Sequence, residues 1–262
     1  MPWVLRGLRD GIVTTRYPRR PDDYGPTFRA AVSLRPGSPA GLIDTEAGLC
    51  PTDAIRSGDE TPGALRVDRA RCIVCGRCVA RRPDVFQWDP TVELAATSAG
   101  ALVVPPDPDL SLDALRSEVG RRVGALRRSV HIRHVDAGSD GSEEAEIAAL
   151  SGPIYDIERL GMFFTASPRH ADLLLVTGVG TAGMVDELLR TYEAMPEPRV
   201  VVACGTDALS GGLVGPTYSA GDGVGRLVPL DVLVPGSPPS PFTILHGLLL
   251  ALGRLPRRRG PR

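Results

Sequence analysis

Cys72, Cys75 and Cys78 stand at C-x2-C-x2-C spacing in the run CIVCGRCVARRP, and Cys50 immediately precedes a proline in GLCPTDAI. Thiolates are soft ligands, and three of them within seven residues predict ligation of a metal or metal cluster rather than a disulfide framework. The fifth cysteine, Cys204 in VVVACG, is read as a buried thiol. The loop has no fourth cysteine of its own, because the position before Pro83 holds Arg82.

In chains that hold two [4Fe–4S] clusters through C-x2-C-x2-C-x3-C-P runs, the cysteine before the proline ligates the other cluster. Cys50 before Pro51 fits that part. Counting back from Cys50 by the same spacing reaches Ala40, Ile43 and Glu46, so those three thiolates are absent, as is the one at Arg82. The four absences belong to one cluster, and Cys50, Cys72, Cys75 and Cys78 form the complete set of the other. One [4Fe–4S] cluster is expected there; zinc is the other occupant that four thiolates can take, although zinc knuckles usually pair two C-x2-C units.

The elements that must position these residues fall into two patterns. Residues 1–25 form an amphipathic N-terminal segment in which Trp3, Val4, Leu5, Leu8, Ile12 and Val13 share a helical face beside Arg6 and Arg9. That face could dock on a partner, on a membrane surface or on its own domain. Residues 26–105 carry the cysteines, with strands expected at ELAA and ALVV, and residues 106–128 read as a linker and a connecting helix from Leu112 onward. Residues 129–253 change to short β-rich runs (SVHIRHVD, ADLLLVTG, PRVVVACG, RLVPLDVLVPG) separated by helical stretches, which implies a parallel, doubly wound sheet. Residues 254–262 are a basic tail.

Every basic side chain other than histidine is arginine, with no lysine and no asparagine in the chain, a pattern of GC-rich codon usage. The net charge is −1, so arginine abundance does not indicate nucleic-acid binding, and none is expected. With no apolar run of 18 residues and no signal-peptide pattern, a cytoplasmic chain is expected. His131, His134, His170 and His246 share no metal spacing, and TGVGTAG lacks the ending of a phosphate loop and reads as a strand-to-helix turn.

Residues 1–95, with GIVTTRYP ahead of the cysteine loops, resemble the ferredoxin-type component H of hydrogenase-4 and formate hydrogenlyase, similar to the I subunit of complex I. From about residue 128 to 252, the blocks RRSVHIRHVDAGSDGSEEAEI, YDIERLGMFFTASPRHADLLLVTG, MPEPRVVVACG and LVPLDVLVPGSPP resemble the small subunit of group 4 [NiFe] hydrogenases, also the 20 kDa B subunit of complex I. The resemblance implies an α+β ferredoxin-like domain followed by an α/β flavodoxin-like domain, a large-subunit partner, and in the family a second [4Fe–4S] cluster. Where that family has its four cluster cysteines, this chain has Asp140, Glu143, Asp207 and Ser237. Hard or neutral oxygen donors suit a cubane poorly, so no cluster is expected in the C-terminal domain. If the loops still converge, two carboxylates about 4 Å apart repel by roughly 4 kcal/mol at an effective dielectric near 20. Salt bridges, protonation or a divalent cation must answer that charge.

The resemblance therefore implies a non-catalytic, iron–sulfur electron-transfer subunit of a complex I-like or group 4 hydrogenase-like oxidoreductase, held peripherally at the inner face of the cell membrane. Its expected partners are a hydrogenase or complex I-type large subunit and membrane antiporter-like subunits, with residues 3–13 a further route to the membrane surface. The alternative is a scaffold that docks a large subunit on a membrane ion-translocating module, with no redox relay through the C-terminal half. A stand-alone ferredoxin-like carrier is the third reading, and it predicts a soluble monomer.

Overall fold

A computed structural model describes residues 3–20, 27–37, 47–57, 65–106 and 129–255. The expected N-terminal helix is present as α1 (Trp3–Asp10), and none of its residues is buried. The chain behind it is fastened to the far half of the molecule. Thr15 donates its N–H to the Ile154 carbonyl at 2.8 Å, and Tyr17 packs edge-on against Phe242, with centroids 6.2 Å apart.

The cysteine-bearing half is built on two small antiparallel sheets. Strand β1 (Ala31–Leu34) pairs with β4 (Phe86–Asp89), while β2 (Ile55–Ser57), β3 (Leu65–Asp68) and β5 (Val103–Val104) form the second in the order β2-β3-β5. Between β3 and β4 lies the short helix α2 (Arg77–Arg81). Val32, Ile55, Leu65, Val67, Val85 and Phe86 make a core against which Cys50, Cys72 and Cys78 pack.

Two strand expectations change here. ELAA supplies only one bridge, in which Ala96 and Leu233 exchange backbone hydrogen bonds of 2.9 and 2.8 Å. ALVV enters as a turn of 3-10 helix through Leu102 before the two residues of β5. The helix expected from Leu112 and most of the basic tail lie outside the described residues.

The second half is the parallel sheet that the β-rich runs predict. Strands β6 (Val130–Asp136), β7 (Met162–Phe164), β8 (Leu173–Thr177), β9 (Val200–Cys204) and β10 (Val232–Val234) pair in parallel in the order β10-β9-β8-β6-β7. Counted from β6 this is 2-1-3-4-5, one of the two common doubly wound orders. Strands buried on both faces read as unbroken apolar runs, as Leu173–Val176 and Val200–Cys204 do.

Alternate residues divide between the faces. Ile132, Leu173, Leu175, Val200 and Val202 share a core with α3 (Ser142–Ala149) and with α6 (Pro241–Ala251). Leu174, Val176, Val201 and Ala203 pack with Leu188 of α4 (Val185–Ala194) and Ala208 of α5 (Thr206–Ser210). Helix α6 is buried on every side, as a helix that is apolar all round must be.

The halves are not beads on a string. Val92 and Ala95 enter the core around α6, and Ala96 and Leu102 enter the core on the opposite sheet face. Buried His246 accepts the Ala95 N–H on Nδ1 at 3.2 Å. Segment 92–102 is continuous in sequence with the cysteine-bearing half, yet it packs as part of the parallel-sheet half.

Candidate metal centre

The four cysteines expected as ligands line one apolar cavity with Val32, Ile55 and Val67. Cys50 is brought there by a turn whose Thr52 hydroxyl donates to the Arg71 carbonyl at 2.6 Å, tying the turn to the residue before Cys72. The Ala54 N–H points at Cys50 Sγ at 3.2 Å, a donor suited to a thiolate. Cys75 sits between two left-handed residues, Val74 (φ 55) and Gly76 (φ 70). A β-branched residue at positive φ is an outlier held only where surroundings demand it. At Gly76 even the space is missing, because a Cβ would lie 2.6 Å from the Trp88 ring. Cys78 follows in the first turn of α2.

Burial pushes the Cys72 thiol up to about 12, with neighbouring Cys78, Cys50 and Cys75 raising it further and a Val74 backbone hydrogen bond opposing. Burial raises Cys78 as well. Without a cation the Cys72 and Cys78 thiols resist ionisation, whereas a bound metal centre supplies the positive charge that holds thiolates. The donor set therefore fits an iron–sulfur cluster. Among the described residues, no group of three or more His, Cys, Asp or Glu side chains is arranged to hold a metal ion. A cubane spreads its thiolates one to each iron around a larger centre, so its ligands need not close on a single ion. Arg82, at the missing fourth position of the loop, turns away to pair with Asp84 through Nη2 and Oδ2 at 2.7 Å.

Of the positions expected to have lost a cluster, Asp207 lies on α5 itself and Glu143 lies against Gly205 at its start. Glu143 is 0% exposed, and its Oε1 has no hydrogen-bond partner, while Oε2 accepts the Ser142 hydroxyl at 3.1 Å. Gly205 (φ 94) lies directly against that carboxyl, and a Cβ there would collide with Glu143 Oε1. Burial raises Glu143 to about 7, with Asp207 and Asp140 adding to it. Asp207 is raised by burial and then by Asp140. Asp140 is exposed and held low by Ser142, whose N–H bonds its Oδ1 at 2.9 Å.

Asp140, Glu143 and Asp207 thus lie near enough for their charges to act on one another, and none of the three forms an ion pair among the described residues. Burial of Glu143, which raises it to about 7, favours its protonation as one answer to that charge. Ser237 lines a neighbouring cleft of about 430 Å³ together with Val74, Glu146 and Tyr155.

Sequence reasoning missed the link between the two places. Thr206 Oγ1 donates to the Cys72 carbonyl at 3.1 Å and Ser210 Oγ to the Ala70 carbonyl at 2.9 Å, so α5 clamps the cysteine loop. Hydroxyls in a helix carry no spacing signal that could have shown this. Cys204 is fully buried, as expected, and burial drives its thiol well above the ordinary range. His134 bonds Thr177 at 3.0 Å beside Glu144, and burial lowers its proton affinity. In the TGVGTAG turn, the N–H groups of Val179, Gly180 and Thr181 bond the Gly138 and Ala137 carbonyls, so they are not free for a phosphate.

Residues 141–251 match the family described as NADH ubiquinone oxidoreductase, 20 Kd subunit, and residues 65–109 match the 4Fe-4S single cluster domain. The chain is 38% identical over 141 residues to a "Probable membrane-bound hydrogenase subunit" of Pyrococcus furiosus, covering 54% of this chain and 84% of that protein. It belongs to the 20 kDa subunit family. Formate hydrogenlyase subunit 7 of Escherichia coli (strain K12) is 35% identical over 171 residues, 64% of this chain and 66% of that relative, just under two thirds of its length. Among solved structures, a chain of the membrane-bound sulfane sulfur reductase, an archaeal respiratory membrane complex, aligns with 50% of this chain and 73% of its own at 31% identity and a TM-score of 0.44. The 20 kDa family match takes in Glu143, Asp207 and Ser237, and the 4Fe-4S match takes in Cys72, Cys75 and Cys78. Cys50 lies outside both matches and joins the set through its Cys–Pro pair and the shared cavity.

Proposed function

We propose that this chain is the iron–sulfur electron-transfer subunit of a membrane-associated oxidoreductase of the hydrogenase or complex I type, with one [4Fe–4S] cluster at Cys50, Cys72, Cys75 and Cys78 and none in its C-terminal half. The observation that carries the reading is the contrast around α5: four thiols line one cavity, while the charges of Asp207 and Asp140 act on a buried Glu143 whose Oε1 has no hydrogen-bond partner. The cluster, when bound, supplies one-electron storage. The protein's own part is to present the sulfurs, to offset their charge with N–H donors such as that of Ala54, and to keep water out with Val32, Ile55 and Val67. Chemistry at nickel, a quinone or a nicotinamide belongs to partner chains. The large subunit is the principal partner, with antiporter-like membrane subunits beyond it, on the cytoplasmic side of the membrane. Membership of the 20 kDa subunit family and the names of the two relatives support this assembly.

The carboxylates favour a second reading of the C-terminal half, in which it is a scaffold for the large subunit and passes no electrons. Isolation of the chain from its native membranes under anaerobic conditions tests both. Co-purification of a large subunit with a reducible cluster supports the electron-transfer reading. A large subunit with no reducible cluster leaves only the scaffold, and a chain that purifies alone with its cluster contradicts both.

A further inference from the structure

Helix α1 is apolar over half its residues, yet it packs on nothing in the described molecule: Trp3 is 84% exposed, Leu8 76% and the following Ile12 81%. At 100° per residue, Trp3, Val4, Leu8 and Leu5 cover an arc of about 200° of the helix, and Arg6, Arg9 and Asp10 occupy the remainder. A helix that seats in a protein groove presents a narrow stripe at i, i+3, i+4 and i+7. From Trp3 those positions hold Arg6, Gly7 and Asp10, from Val4 they hold Gly7, Leu8 and Gly11, and from Leu5 they hold Leu8, Arg9 and Ile12, of which Ile12 lies beyond the helix. A wide, shallow apolar arc backed by guanidiniums fits a plane better than a groove.

Charge points the same way. Residues 3–20 contain Arg6, Arg9, Arg16, Arg19 and Arg20 against Asp10 alone, a net +4, while the whole chain is −1 and the remainder therefore −5. All five arginines are exposed. The helix is also held in place at its base. Thr14 Oγ1 donates to the Pro153 carbonyl at 2.8 Å, and Arg159 Nη2 donates to the Thr15 carbonyl at 3.0 Å. Exposed Ile12, Val13 and Ile154 extend the apolar surface to that base.

We propose that α1 lies in the surface of an anionic lipid bilayer, with Trp3, Val4, Leu5 and Leu8 among the acyl chains and the arginines on headgroup phosphates. This names the surface that makes the membrane attachment proposed above, and it stands apart from the cluster assignment. The full chain, with its cluster reconstituted, is floated with vesicles of phosphatidylcholine alone and of equal phosphatidylcholine and phosphatidylglycerol.

The expected result is binding to the anionic vesicles, weakened by salt. Removing each of Arg6 and Arg9 as Arg→Gln should weaken it about fivefold. Trp3→Asp combined with Leu8→Asp should abolish it. Because α1 packs on nothing, these variants should keep the wild-type melting temperature and the cluster's visible absorbance. Equal binding to both vesicle types overturns the anionic assignment. No vesicle binding by the wild-type chain overturns the lipid assignment and leaves a protein subunit as the occupant, and either failure leaves the electron-transfer reading standing if the cluster is still reduced.

Discussion

The cysteine cavity and the carboxylate pocket flank the same short helix, α5, and they differ in chemistry more than in construction. Both rest on left-handed backbone where a side chain would collide, at Gly76 against Trp88 and at Gly205 against Glu143. Both bury ionisable groups and raise their proton affinity. In the first, four soft donors share one cavity, and a cluster would relieve the cost of burying them. In the second, hard oxygens of unequal exposure share a pocket, and a proton on Glu143 is the cheapest relief. Similar backbone devices can thus surround donor sets of opposite chemistry.

The largest break in this comparison should come from the thiols. Cys72→Ala or Cys50→Ala is expected to remove the cluster outright, read as loss of iron, of acid-labile sulfide and of the paramagnetic signal after reduction. On the other side of α5, Glu143→Gln should leave the iron unchanged and alter the pH response. Glu143 is raised from 4.5 to about 7 in the folded chain. Its proton-linked stability is therefore fully present below pH 4.5 and is lost as pH rises through about 7. At 1.36 kcal/mol per unit, the loss is at most about 3 kcal/mol. Infrared spectra should show a protonated carboxyl band up to about pH 7 in the wild type, absent in Glu143→Gln; the same band in both would contradict the assignment.

A smaller effect sharpens the comparison of the backbones. Gly76→Ala forces a Cβ into Trp88 at φ 70. It should cost about 1–3 kcal/mol and make cluster loss on dilution faster, whereas a wild-type loss rate would mean the turn does not govern the site. Smallest is Cys204→Ala. That thiol lies at the end of β9 in the apolar core, so its removal should cost about 1 kcal/mol in melting experiments and leave iron content untouched.

Much of this was legible because it is local. Thiol spacing and the Cys50–Pro51 pair picked out the four cysteines that share one cavity, and the apolar runs of β8 and β9 announced a sheet covered on both faces. What stayed hidden depends on tertiary neighbours. Asp140 and Glu143 are three residues apart and chemically alike, yet one is exposed and the other wholly buried, because α3 turns only Glu143 toward Gly205. Strand β7 is three residues long with Phe163 and Phe164 partly exposed at the sheet edge, too short to show a period. The packing of segment 92–102 into the parallel-sheet half could not be read from its own residues, since its one bridge partner, Leu233, lies in a strand more than a hundred residues away.

The most direct test is the iron and acid-labile sulfide content per chain after anaerobic reconstitution, joined to paramagnetic resonance of the reduced protein. About four irons per chain, as a single [4Fe–4S] site requires, with one reduced-cluster signal that survives changes at Asp140, Glu143, Asp207 and Ser237, is the predicted result. About eight irons, with a second signal lost on changing those four residues, would contradict the account.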